Sequence, residues 1–211
     1  MKILVFSDVH GNLPAFEAML KHEGSFDSYI CLGDLVNYGP WSNECVDLAL
    51  SLPSCKYIIG NHEEAFINGY YSGQSKLVKT FFEICSKDFY KLEEIKRFRE
   101  EFIGFGYCFR HTIQNSYIYP DTQITLDSNY VIGHSHHQFF YRNRGYNLYN
   151  TGSVGQNRKF INIINYIVLE TEELIFDFCA IKYNVDLFIN EIKHRKYPQV
   201  CIDYYATKER A

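Results

Sequence analysis

The chain has 211 residues and a formal net charge of −4. That length fits one domain, and the acidic balance weighs against a protein that coats nucleic acid indiscriminately, although a local basic groove stays open. No run approaches the ~20 apolar residues of a membrane span, and the N-terminal apolar run stops at Asp8, too early for a signal peptide.

Seven cysteines, an odd number without CxxC spacing, read as buried thiols in a reducing compartment, so a cytoplasmic protein is expected. The 18 tyrosines and 17 phenylalanines read first as core. Base stacking, with the segment NGYYSGQ as its place, is the minority reading, so nucleic acid is not the favoured partner.

In chain order, KILVF is a continuous apolar run, as expected for a strand buried on both faces. Leu13, Phe16, Met19 and Leu20 then recur on one side of a helix with Pro14 near its start. SYICLGD repeats strand and turn, a helix is expected over Ser42–Leu52, and KYIIGNHE repeats the strand again. Three strands with helices after them predict a parallel α/β beginning. Between 74 and 99, Phe89, Leu92, Ile95 and Phe98 recur at a three-residue step, near a helical period, on a charged amphipathic stretch. From Tyr107 the pattern is strand-like through YCFRHT, NYVIGHSHH, QFFYR, YNLYNTGS, FINIINYIVLE and ELIFDFCAI. A last helix is expected over Val185–Lys193; the tail YPQVCIDYYATKERA carries no clear pattern.

The chemistry-bearing residues share an address. Asp8 and His10, Asp34, Asn61 and His62, His111, and His134 and His136 each follow an apolar strand, and sites in open α/β sheets form at carboxyl ends of strands. Asp-x-His presents carboxylate and imidazole to one side of extended backbone, a donor set that suits Mn, Fe, Ni or Zn. Asn61, His111 and His134 can hold another ion, with Asp34 as the natural bridge. Taken singly, each residue is more often a cap, a turn former or a core histidine; taken together and in order, they argue for a metal site.

The blocks SDVHGN, GDLVNYGP, GNHEE, FRHT, GHSHH and NTGSVGQNR, from Ser7 to Arg158, resemble those of the calcineurin-like metallophosphoesterases, and the last block resembles the small bacterial phosphodiesterase-like branch. The resemblance implies two mixed β-sheets packed as a sandwich with flanking helices, over one domain of residues 1–211 with a helical insertion at about 70–101 near the site mouth. It implies two divalent ions, Mn first, with Asp8, His10 and His136 on one, Asn61, His111 and His134 on the other, and Asp34 bridging. It implies hydrolysis of phosphodiesters or phosphomonoesters by a metal-bridging hydroxide, with His62 as the catalytic histidine and, when protonated, a general acid. Ser153 and Arg158 fall in a loop that the family keeps near its metals. His137 has no counterpart.

Two positions depart from related enzymes. Phosphoprotein phosphatases and bis-nucleoside tetraphosphatases carry Arg where this chain has Tyr38, and Tyr cannot offer phosphate a charged fork. The phosphoprotein phosphatases also carry Asp where this chain has Asn37, which is expected to accept a hydrogen bond from His62 without adding charge. Asn37 and Arg158 are the substrate-contact candidates. Two competing functions are a nucleotide pyrophosphohydrolase of the bis-nucleoside tetraphosphatase kind and a non-catalytic scaffold of the same fold. All eight site positions being present disfavours the scaffold.

Overall fold

The computed structural model describes residues 1–211. Its first sheet has the order β10-β9-β1-β2-β3. Strand β1 (Lys2–Phe6), β2 (Ser28–Cys31) and β3 (Cys55–Tyr57) run parallel, as predicted, while β9 (Ile163–Glu170) and β10 (Ile175–Lys182) are antiparallel. The second sheet has the order β4-β5-β6-β8-β7. In it β5 (Tyr107–Arg110), β6 (Tyr130–Ile132) and β8 (Tyr146–Thr151) are parallel, flanked by antiparallel edges β4 (Glu101–Gly104) and β7 (Gln138–Asn143).

The alternation of β1 sets the layers. Ile3 and Val5 point into the seam between the sheets, where they meet Phe109 and Val131 of the second sheet and Ile167 and Leu169 of β9. Leu4 and Phe6 point the other way, onto a helical layer. A strand buried on both faces has no polar face to write into its sequence. Burying one such side chain stabilises by about 1.5–3 kcal/mol.

The helical layer contains α1 (Leu13–Glu23), α2 (Ser42–Leu50), α3 (Asn61–Asn68), α4 (Lys76–Cys85), α5 (Leu92–Ile95), α6 (Val185–His194) and α7 (Gln199–Ala206). In α1, Asn12 Oδ1 accepts from the Ala15 amide and Pro14 lies in the first turn, so a cap and a proline start the helix. It buries Phe16 and Met19 against the sheet. The outer face of the second sheet is covered by the irregular 113–126 segment, through Ile113, Ile118 and Leu126.

The three-residue step over 89–98 is not one helix: only Leu92–Ile95 is helical. Phe89 packs on Phe66 at 4.9 Å and Phe98 on Tyr57 at 5.2 Å between ring centroids, so tertiary contacts bury those positions. A step of 3.0 also falls short of the 3.6-residue period of an α-helix. The tail without a pattern forms α7, whose Cys201 and Tyr205 are buried in the main core. All seven cysteines are free, four buried and three half-buried. No helix is long and apolar enough to cross a membrane.

Candidate metal centre

The backbone builds the site where β1 and β2 stop. Beyond the strand ends the two loops keep pairing: Asp8 N–H donates to Gly33 O at 3.0 Å, His10 N–H to Asp34 O at 2.9 Å and Gly11 N–H to Leu35 O at 2.8 Å. Asp8, His10, Asp34, His134 and His136 all have positive φ, from 52° to 68°, and Asn37 and Tyr38 join them at 71° and 63°. Non-glycine residues avoid this left-handed region, and such strain persists only where the surroundings over-determine it. Fourteen non-glycine residues of the chain have positive φ, and five of them carry candidate metal donors.

Glu63 holds the second loop. Its buried carboxylate accepts from the amides of Asp34 and Leu35 at 2.7 Å, Gly60 at 2.9 Å and Val36 at 3.3 Å. It occupies the third position of α3, so the Gly60-to-Glu63 spacing was a capping signal present in GNHEE, and the sequence reading overlooked it.

The predicted donors converge in two groups. In one, His136 Nε2 lies 3.1 Å and His10 Nε2 3.6 Å from Asp8 Oδ1, and the two Nε2 atoms are 3.0 Å apart. In the other, His111 Nε2 lies 3.3 Å from Asp34 Oδ2 and 3.0 Å from both Asn61 Oδ1 and His134 Nδ1. Asp34 Oδ2 is also 3.9 Å from His10 Nε2, so it faces both groups.

Each carboxylate has one oxygen held by the protein and one left over. Asp8 Oδ2 accepts from Ser7 Oγ at 2.5 Å and the His134 amide at 2.9 Å, while Asp8 Oδ1 is buried with no hydrogen-bond partner. Asp34 Oδ1 accepts from the His62 amide at 2.9 Å, and Oδ2 faces the imidazoles. The rings are set likewise: Nδ1 of His10, His111 and His136 meets the carbonyls of Val36, Leu32 and Gln156 at 3.3, 2.8 and 3.1 Å. Carbonyls only accept, so each ring carries a proton on Nδ1, and in its neutral form it turns the Nε2 lone pair inward, the arrangement of imidazoles that ligate metals. Two inward nitrogens 3.0 Å apart beside an orphaned carboxylate oxygen repel unless a cation lies among them. The donor set fits a divalent metal.

The charges agree. Burial pushes the Asp8 carboxyl up, but His136 beside it overrules burial and holds it well below the usual range; His111 and His62 do the same for Asp34. Burial pulls His136 down to about 3 and, helped by His111, His134 down to about 4. Those rings stay neutral with lone pairs free.

His62 stands beside this set, its Nε2 4.0 Å from Asp34 Oδ2, and burial brings its pKa down to about 3. Its partner Asn37 behaves contrary to the sequence expectation. Asn37 Oδ1 is taken by the Tyr38 amide at 2.8 Å, so Asn37 Nδ2 donates to His62 Nδ1 at 2.8 Å. Asn37 does not accept from the ring. Asn37 is fully buried.

Tyr38 fills its position with a ring packed against both His10 and His62, at centroid distances of 4.8 and 5.2 Å. Ser153 Oγ donates to Asp8 O at 2.7 Å, a support role. Arg158 Nη1 donates to Tyr204 on α7 at 2.7 Å. Half-buried His137 meets the Tyr119 ring edge at 5.6 Å, on the rim.

A polar cavity of about 490 Å³ opens beside Asn61, His111 and His134, with Arg110 as its only lysine or arginine. Tyr71, from NGYYSGQ, lies flat on His62 at 6.1 Å and 5°, and Ser72 and Glu100 line the cavity, so the 70–101 stretch borders the site. On the other side Tyr117 stacks on His134 at 4.0 Å and parallels Tyr119 at 6.1 Å. Both tyrosines are exposed, and the sequence reading passed over them because they lie on an irregular segment without periodicity.

Known proteins resemble this one along its length. The chain is 28% identical over 233 aligned positions to an uncharacterized protein of Methanocaldococcus jannaschii, spanning 93% of this chain and 94% of that one. A metallophosphoesterase from Sphaerobacter thermophilus shares the fold with a TM-score of 0.81 at 24% identity over 98% of both chains. A hypothetical protein from Pyrococcus horikoshii OT3 shares it at 0.77 and 16% identity over 97% of both. Residues 1–200 match the calcineurin-like phosphoesterase family, and the chain belongs to that family.

Proposed function

We propose that the protein is a metal-dependent phosphoesterase that hydrolyses small or exposed phosphate esters, diesters ahead of monoesters. Asp8, His10 and His136 would hold one divalent ion, and Asn61, His111 and His134 a second, with Asp34 shared. Mn is the first choice, with Fe, Ni or Zn as alternatives suited to the same donors. When bound, such ions supply Lewis acidity at phosphoryl oxygens and make water nucleophilic near neutral pH. The observation that carries this reading is the pair of inward nitrogens, His10 and His136, 3.0 Å apart beside the orphaned Asp8 oxygen.

His62 would present a neutral Nε2–H to a phosphoryl oxygen. The amide of Asn37 fixes that tautomer by donating to Nδ1. Burial of the surrounding imidazoles excludes water and strengthens each hydrogen bond to the developing charge. A second reading, cleavage within a nucleotide polyphosphate, is favoured by the exposed Tyr117–Tyr119 pair at the mouth, a surface on which a base can stack.

Metal analysis of protein purified without chelator, with a panel of aryl phosphomonoesters and phosphodiesters, tests the proposal. Two ions per chain and turnover of at least one ester class are expected. Folded, Mn-saturated protein with less than one ion per chain, or with no turnover on either class, overturns it.

A further inference from the structure

The turn that follows α7 brings a cation, Lys208, toward the site from beyond the family match, which ends at residue 200. Arg158 and Lys208 meet on one tyrosine. Arg158 Nη1 donates to the Tyr204 hydroxyl at 2.7 Å, and Lys208 Nζ stands 4.5 Å from the centre of the same ring. The hydroxyl donates to Gln156 Oε1 at 3.2 Å, and the Gln156 backbone carbonyl accepts from His136 Nδ1 at 3.1 Å. Arg158 is thus linked through Tyr204 and Gln156 to the first donor group, and Lys208 rests on the face of the same tyrosine.

Neither cation is neutralised. Arg158 and Lys208 are both half-buried; Arg158 hydrogen-bonds only a neutral hydroxyl, and Lys208 pairs with no carboxylate. Burial first, and then the like charge of Arg158, bring the Lys208 ammonium down to about 8. The end of α7 and the Tyr204 ring account for one cation here. They do not account for two, because like charges partly withdrawn from water on one ring repel. An anion between them removes both costs.

The pair stands one ring away from the metal donors. The Tyr38 ring is 6.1 Å from Tyr204 on one side and 4.8 Å from His10 on the other. The tyrosine that both cations share thus lies on the far side of the Tyr38 ring from His10, while Arg158 is still near enough to act on the His136 ring.

We propose that Arg158 and Lys208 form a subsite for a second phosphate-type anion, so that the substrate carries an anionic group beyond the scissile phosphate. This rests on the phosphoesterase reading for its substrate, but the anion site itself does not depend on hydrolysis.

The test uses the full chain in two arms. In the first, inorganic phosphate is titrated calorimetrically into chelator-treated protein whose fold is checked by circular dichroism. Wild type should bind phosphate. Lys208→Gln and Arg158→Gln should each weaken that binding about tenfold or more, while Lys208→Arg should keep it within about threefold. In the second arm, Mn-loaded enzyme hydrolyses the p-nitrophenyl ester of thymidine 5′-phosphate with and without a 3′-phosphate. The added phosphate should lower KM about tenfold with kcat little changed, and Lys208→Gln should erase that advantage. Phosphate binding unaffected by Lys208→Gln, or no KM advantage in wild type, overturns the subsite. If neither ester is hydrolysed while phosphate still binds through Lys208, the phosphoesterase reading fails and the anion site stands.

Discussion

Asn37 Nδ2 lies 2.8 Å from His62 Nδ1 and donates to it, because Asn37 Oδ1 is already bound by the Tyr38 amide. An aspartate at this position would accept from the ring instead. The imidazole proton in the wild-type protein must therefore sit on Nε2, the nitrogen nearer Asp34. Nitrogen-15 NMR of His62 should show an unprotonated Nδ1, and Asn37→Asp should move a proton onto it. A protonated Nδ1 in the wild type would rule out this hydrogen-bond direction.

Asp34 is the one carboxylate that faces both donor groups, with Oδ2 3.9 Å from His10 Nε2 and 3.3 Å from His111 Nε2. Asp34→Asn should weaken both ions together, by more than about 100-fold in affinity, since even supporting residues cost 10–100-fold. Metal titration by mass spectrometry reads this out. Loss of one ion with the other intact would mean that Asp34 serves a single site. Chelation of wild type should lower Tm, because the ions bind the folded chain alone.

Gly133 precedes His134 and leaves no room for a side chain. A Cβ there would come within 2.6 Å of Asp8 Oδ2 and collide with Ser7 Oγ. Gly133→Ala should displace Asp8 and cost about 1–3 kcal/mol through overpacking. The expected signature is a lower Tm together with metal loss that starts at the Asp8 group. Unchanged metal content would show that the loop yields without moving Asp8.

Glu63 should matter as much as a ligand while touching no metal. Glu63→Gln keeps the shape but turns an amide N–H toward backbone donors at Asp34, Leu35, Val36 and Gly60. A buried donor facing donors costs about 1–3 kcal/mol, which in a chain of this size lowers Tm by roughly 3–10 °C. Thermal unfolding of metal-free protein checks it. An unchanged Tm would show that the loop holds itself.

The donors were legible because each follows an apolar strand and stands in a glycine-bearing block; the three-residue Asp8-Val9-His10 spacing survives in three dimensions as one group. What holds them was less legible. Glu63 acts on amides 27 to 29 residues away, a contact that no local period records. The tail over 197–211 alternates neither at 2 nor at 3.6 residues, yet α7 inserts Tyr205 fully into the core and places Tyr204 against Tyr38. Its moment is spread because it packs on several neighbours at once. The Asn37 expectation had the right partner and the wrong direction, since the competing Tyr38 amide is a feature of the folded turn.

His62 gives the sharpest separation of mechanisms. Its Nε2 is 4.0 Å from Asp34 Oδ2, too far for a hydrogen bond and close enough to reach a group bound at the metals. His62→Ala should therefore leave metal content nearly intact. Turnover should fall by about 10²–10³, the usual loss when a preorganised donor to developing charge is removed. A protonated general acid would help poor leaving groups most, so its loss would spare activated aryl esters. A neutral donor to a phosphoryl oxygen acts on charge that develops whatever the leaving group. The hydrogen bond from Asn37 supports the neutral form, so His62→Ala should slow aryl and alkyl esters by similar factors. The check is a series of diesters with leaving groups of graded pKa, compared between wild type and variant. A steeper dependence on leaving-group pKa in the variant would restore the general-acid role and reject the neutral donor.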